Sequence, residues 1–137
     1  MRKMVRPTLF LVVLLMIGGG AIACESDPKA SPDENAVRDY ADTATETCLQ
    51  GLSEHDLVKY TEHANAEFKT AVTQEILDTT ATQINNQLGD YQSKEFLSIE
   101  EQEGYVIVHY KAKYAKGEVG VRMVFDEDQL IAGQWFE

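Results

Sequence analysis

Few residues of this sequence are of types that do chemistry, and their spacing decides what they can do. The histidines are His55, His63 and His109. A histidine works as a general acid or base when a carboxylate or nucleophile is held beside it. None of the three shows a recognisable spacing to such a group. His55 stands next to Asp56 in the first turn of an expected helix. His63 lies near that helix's end, where the dipole favours a cation. His109 shares a strand face with Lys111 and Lys113. All three read as surface residues. The cysteines are Cys24 and Cys48. With no CxxC and no Cys/His cluster they make neither a metal site nor a disulfide framework. Cys48 reads as a small buried hydrophobe. Cys24 sits where apolar sequence gives way to polar sequence, which suits covalent modification better than catalysis.

The charged clusters suggest two further chemistries. Glu100, Glu101 and Glu103 form one acidic run, and Asp126, Glu127 and Asp128 another. Carboxylates bind calcium, but neither run has the spaced ligand set of an EF-hand. Both fall at expected turns, where solvated charge is the simpler reading. Lys111, Lys113, Lys116 and Arg122 form a basic island in an acidic chain. They read as lysines that discourage edge pairing of a sheet. The functional alternative makes Lys111, Lys113 and Arg122 a docking patch for an acidic partner or an anion. The motifs GxGxxG, GxSxG, HExxH and the P-loop are absent. No catalytic residue, cofactor or metal ligand is assigned.

The elements that must position these groups divide at Cys24. Arg2, Lys3 and Arg6 precede a continuous apolar run, Leu9 to Ile17, and small residues follow it. This is the layout of a secretory signal, residues 1–23. It is too short for a membrane span, which needs about 20 apolar residues. Residues 24–31 carry Pro28 and almost no apolar side chain, so they read as a tether reaching roughly 20 Å. Without the three leading cations the chain's formal −11 becomes −14. A field of that sign repels nucleic acid, and no such partner is expected.

Residues 32–137 are expected to form one domain. Ser31-Pro32-Asp33-Glu34 has the form of a capping box, with Ser31 as the cap. Val37, Tyr40, Ala41, Ala44, Cys48 and Leu52 follow at helical spacing, and Gly51 is the expected end. Ser53 and Asp56 are expected to open a short second helix, and Thr73 to cap a third. The third helix's buried face is Ile76, Leu77, Thr80, Ala81, Ile84 and Leu88, with Gly89 just past its end. The period then changes to two. Val106, Val108, Tyr110, Ala112 and Tyr114 share one face of a strand, and Val119, Val121, Met123 and Phe125 one face of the next. A weaker strand near residues 95–102 precedes them and a last strand spans 130–136. The expected class is α+β, with three N-terminal helices packed on a curved four-stranded antiparallel meander. If Lys116-Gly117 is the hairpin turn, Tyr110 faces Met123, and Lys111 faces Arg122 on the outer side. A two-residue and a three-residue final turn put Trp135 on opposite faces, and both stay open.

The run "AIAC", Ala21 to Cys24, resembles the lipobox of prokaryotic lipoprotein precursors, departing at Ala21 where leucine is commoner. The resemblance implies a diacylglycerol on the Cys24 thiol, cleavage just before it, and a membrane partner at the extracytoplasmic face. From about Leu52 to Phe136, "LSEHD", "TQEIL", "LGDY" and "VFDEDQLIAG" occur in order. That order is similar to an uncharacterised domain of exported prokaryotic proteins in the nuclear-transport-factor-2-like superfamily. Gln129 stands where the last turn usually has glycine. The resemblance implies a cone of sheet and helices that can enclose a pocket, and relatives of this cone include isomerases and dehydratases. The inward set of Val, Tyr, Ala, Met and Phe favours binding over catalysis. The expected function is therefore a lipid-anchored, extracytoplasmic, non-enzymatic binding or accessory domain. Its partner would be a small apolar ligand, another protein or a second copy of itself. The other reading is a small cone-fold enzyme of isomerase or hydrolase-accessory type. That reading needs a titratable side chain buried in a pocket with a perturbed pKa.

Overall fold

The computed structural model describes residues 31–137. The signal segment, Cys24 and most of the tether lie outside the described residues. The first helix, α1, spans Glu34–Ser53. Its cap is Asp33, which accepts the Asn35 N–H at 3.0 Å, and not Ser31. Asp33 stands directly before Glu34, the first helical residue, and a carboxylate is a good acceptor at the positive end of a helix. Val37, Ala41, Ala44, Cys48 and Leu52 are buried as their spacing predicts, together with Thr45 and Leu49.

Gly51 does not end α1. The backbone of a second helix, α2 (Leu57–Tyr60), crosses directly over it. Asp56, rather than Ser53, caps α2 by accepting the Lys59 N–H at 3.0 Å. His55 therefore precedes the helix, in left-handed backbone at φ 58°. A third helix, α3 (Ala66–Ala71), is one that apolar periodicity does not predict, because it buries none of its residues. Asn65 nucleates it by accepting the Phe68 N–H at 2.9 Å. The fourth, α4 (Gln74–Leu88), is the helix expected from Thr73 to Gly89. Leu77 and Ala81 are buried, while Ile76 is half exposed.

Four antiparallel strands follow in the order β1 (Tyr91–Gln102), β2 (Tyr105–Tyr114), β3 (Gly117–Phe125) and β4 (Ile131–Phe136). They form an α+β meander that does not close into a barrel. The β2–β3 register differs from expectation. Tyr114 pairs with Gly117, so the two-residue turn is Ala115-Lys116. Tyr110 consequently faces Val121, and Lys111 faces Gly120 instead of Arg122. The helical layer sets this slip: the Lys116 N–H donates to Leu88 O at 2.7 Å and the Ala115 N–H to Asp90 O at 3.0 Å. A slip of two keeps every side chain on its predicted face. Val108, Tyr110, Ala112, Val121, Met123 and Phe125 face α1 and are almost fully buried. α4 packs against α1.

The last turn is closed by Asp126, whose Oδ1 accepts the N–H groups of Asp128 and Leu130, each at 3.0 Å. A register shift beside Phe125 then places Trp135 opposite Arg122, on the outer face. Gln129 adopts φ 62°, the conformation that glycine takes without cost. Replacing it should therefore help: Gln129→Gly is expected to raise stability by about 0.5–1 kcal/mol. A higher urea midpoint at unchanged slope checks this, and a lower midpoint contradicts it.

Candidate functional site

The densest constellation of ionisable groups begins with spacing on α1. Arg38, Asp42, Glu46 and Gln50 recur every four residues and form one stripe beside the apolar face. The stripe lies over β1 and β2. Arg38 Nε donates to Asp42 Oδ2 at 3.1 Å, and its guanidinium sits 4.5 Å over the Phe96 ring. The Tyr110 hydroxyl donates to Asp42 Oδ1 at 2.8 Å. Glu46 Oε2 accepts from the Tyr91 hydroxyl at 2.8 Å and from Lys94 Nζ at 3.1 Å. Gln50 Nε2 donates to Glu46 Oε1 at 2.9 Å.

Burial pushes the Glu46 pKa up, but the hydrogen bonds from Tyr91, Lys94 and Gln50 and the charge of Lys94 outweigh it and leave it lowered. Burial raises Tyr110 and Tyr91, and the carboxylates they touch raise them further. Both phenols thus stay neutral and Glu46 stays anionic near neutrality. General acid–base work needs the opposite, a pKa brought close to the working pH. What this arrangement does chemically is dock α1 onto β1 and β2 through charge-assisted hydrogen bonds. Cys48, 1% exposed, is likewise held as a thiol because burial raises its pKa.

A second constellation covers the outer face of the sheet, away from α1. It holds the three residues expected as a docking patch. Lys111 Nζ lies 3.7 Å and Lys113 Nζ 3.8 Å from the Glu118 carboxylate. Arg122 Nε lies 3.5 Å from Glu137, and its guanidinium sits 4.7 Å over the Trp135 ring. Trp135 is 46% exposed, and its ring lies across Gly133, where any Cβ would overlap it. His109, opposite Arg122, reaches Glu100 at 3.2 Å and Glu137 at 3.6 Å. The patch shares one face, as alternation predicts, yet each of its cations has a carboxylate neighbour. Such exposed pairs contribute only about 0–1 kcal/mol, so a partner's carboxylates could replace them at little cost.

The remaining histidines stay near the surface. His55 Nδ1 is 3.0 Å from Asp78 Oδ1, and Gln74 donates both to that oxygen and to His55 O. His63 lies 4.0 Å from Glu62. The acidic runs meet at one end of the sheet, around an open cleft of about 280 Å³ lined by Glu103, Gly104, Tyr105, Asp126, Glu127 and Asp128. Among the described residues no group of three or more His, Cys, Asp or Glu is arranged to hold a metal ion. Apolar periodicity missed the α1 stripe, although its four-residue spacing is visible in the sequence. It could not find the His55–Asp78 contact, which joins residues 23 apart.

Three comparisons bear on this arrangement. A search of curated proteins found no match. Among solved structures, the NMR structure of a protein from Ruminococcus gnavus is similar to this chain at 19% identity and a TM-score of 0.53. The likeness covers 75% of this chain and 90% of that one, and at such identity it speaks to the fold alone. A family profile described as a protein of unknown function, DUF3887, matches residues 45–133. That span runs from the middle of α1 into β4 and includes the outer sheet face with Lys111, Lys113 and Arg122, so the chain belongs to the DUF3887 family.

Proposed function

We propose that this protein is a lipid-anchored, extracytoplasmic accessory domain without catalytic activity, and that it docks a protein partner on the outer face of its sheet. One observation carries this reading. The outer face bears the half-exposed Trp135 with Arg122 stacked on it, beside Lys111 and Lys113. Tryptophan and arginine are the residues that most often anchor protein interfaces. A ligand inside the cone is the weaker alternative. Val108, Tyr110, Ala112, Val121, Met123 and Phe125 fill that space against Ala41, Ala44 and Leu49 at 0–3% exposure. The phenols there have raised pKa values, which favours packing over proton transfer.

The anchoring half of the proposal rests on the resemblance of "AIAC" to a lipobox, and the cone on its resemblance to the nuclear-transport-factor-2-like superfamily. Among the described residues no helix is long and apolar enough to cross a membrane, which is compatible with a lipid anchor. Two or more acyl chains on Cys24 would anchor stably, where one binds only marginally. Mass spectrometry of the protein from its own membranes should show Cys24 as the acylated first residue. An intact thiol there overturns the anchor. Photo-crosslinkers at Lys111 and at Thr79 on α4 then test the face. Crosslinking to a single partner is expected from position 111 and not from 79. It should fall at least fivefold when Lys113 and Arg122 are both changed to Glu. Equal yields with and without the charge reversal overturn the docking patch.

A further inference from the structure

The two edges of the sheet differ. β1, at one edge, carries Lys94, Glu95, Glu100 and Glu101, and register shifts interrupt it between Tyr91 and Ser93 and between Phe96 and Ser98. Charge and bulges are how natural sheets keep an edge from pairing with another chain. β4, at the other edge, lacks both along most of its length. Its sequence, IAGQWF, holds no charged residue, whereas each of the other three strands does. Its register shift lies at its start, beside Phe125. Ile131 there is already bonded, its N–H to His63 O at 2.8 Å and its O to the Asn65 N–H at 2.9 Å. Beyond it the edge is open. Gly120 and Glu137 exchange both backbone bonds, at 2.9 and 3.2 Å. Antiparallel pairs alternate, so Trp135 bonds Arg122, while the N–H and C=O groups of Gln134 and Phe136 point away from β3. Among the described residues no backbone group of a neighbouring element meets them.

We infer that β4 pairs with β4 of a second copy of this chain, antiparallel about a two-fold axis at Trp135, which joins two four-stranded sheets into one. The occupant follows from the register. Gln134 of each copy bonds Phe136 of the other, which satisfies every outward group of both residues. Trp135 then meets its own counterpart, and Glu137 meets Gly133 of the second copy. Both meetings fit. Each Trp135 ring lies across its own Gly133, so the two rings lean in opposite directions along the antiparallel strands and leave the axis free. The Arg122 guanidinium sits 4.7 Å over that ring. Glu137 of one copy is therefore brought to Arg122 of the other, and reciprocally. A foreign strand supplies the backbone bonds equally well, but the second copy also places a carboxylate at each guanidinium. Elsewhere two such acidic domains repel each other, and the charge-free edge is where they can close. His63 and Asn65 limit pairing to residues 133–137, so the contact is well below the roughly 1,600 Å² of a standard interface. The dimer is accordingly weak, with a dissociation constant of about 0.1 mM expected.

The test uses the full chain in mild detergent and does not depend on whether Cys24 is acylated. Sedimentation should show dimer at about 1 mM and monomer at about 10 μM. Trp135→Cys faces itself across the axis at a Cα separation of about 4.5 Å. It should oxidise to a disulfide joining two copies through position 135, identified by mass spectrometry of the linked peptide. Val58→Cys, 81% exposed on α2, should not. Glu137→Arg and Arg122→Glu, each alone, should weaken dimerisation by about fivefold or more. Mixed together they should form a heterodimer about as strong as the parent dimer, because each then faces the opposite charge across the axis. No contact within one chain predicts that rescue. A full chain still monomeric at about 1 mM, or a mixture no more dimeric than its two components, overturns the pairing. So does crosslinking of position 135 in the host cell to a different protein only, which assigns the edge to a foreign strand.

Discussion

Raising the pH past about 10 is expected to unfold this domain in one steep step, starting where free tyrosine ionises. Five of its six tyrosines, Tyr40, Tyr60, Tyr91, Tyr110 and Tyr114, have folded pKa values raised from 10.0, in each case chiefly by burial. For Tyr114 burial pushes the value up to about 12. The sign follows from linkage. A group whose folded pKa lies above its unfolded one contributes its stability fully below the unfolded value. That contribution is lost as pH rises through the interval toward the folded value. Tyr60, Tyr110 and Tyr114, all under 9% exposed, must shed their protons together on unfolding. At about 1.4 kcal/mol per group per pH unit, the three remove roughly 4 kcal/mol per unit above pH 10. A domain of ordinary stability, about 5–15 kcal/mol, is exhausted within one to four units. Tyrosinate absorbance and loss of far-ultraviolet circular dichroism should therefore rise in the same narrow interval. Smooth tyrosine titration with the secondary structure intact would show that these phenols are not held as the structure places them.

Gly51→Ala should destabilise the fold by about 3 kcal/mol or more, although helix propensity alone predicts a gain of about 1 kcal/mol. The two expectations have opposite signs, so the experiment separates them cleanly. Gly51 lies in the last turn of α1 with an ordinary helical backbone, where alanine is normally preferred. A Cβ there would overlap the backbone nitrogen of Tyr60 and come within 2.7 Å of its Cα and 2.9 Å of the Lys59 carbonyl carbon. These are main-chain atoms of α2 and cannot rotate away. α2 would have to lift, loosening the Tyr60 hydroxyl from Gln134, which it now meets at 2.6 Å. Chemical denaturation of Gly51→Ala beside the parent protein decides the matter. A midpoint equal to or above the parent's would mean that α2 does not cross the helix so closely.

Gly51 also shows where sequence reading stops. A glycine near the end of a helical pattern reads as a C-cap, because that is the local reason glycines occur there. Here the reason is the close approach of another backbone, which no local pattern records. The β2–β3 turn behaves alike. Lys116-Gly117 is a sound hairpin signal, but carbonyls of Leu88 and Asp90 bind the N–H groups of Lys116 and Ala115 and move the turn back by one residue. Gln129 is the converse case. Its departure from glycine was visible in the sequence, and the turn still forms, closed by the Asp126 carboxylate and the Asp126–Leu130 backbone bond at 2.9 Å.

The sequence by itself determined the class of fold and the faces of its elements. Periods of 3.6 and 2 depend only on the residues of one segment, so Val37 to Leu52 and Val106 to Phe125 named their buried sides before any partner was known. It also set the acidic balance of the domain. The tertiary structure decided which side chains meet. It chose the β2–β3 register, sent Trp135 to the outer face with Arg122, and joined His55 to Asp78 and Tyr110 to Asp42. It also brought Glu103 beside Asp126, Glu127 and Asp128 around one cleft. Contacts of this kind join residues from about ten to nearly seventy positions apart, and a period within one segment carries no information about them.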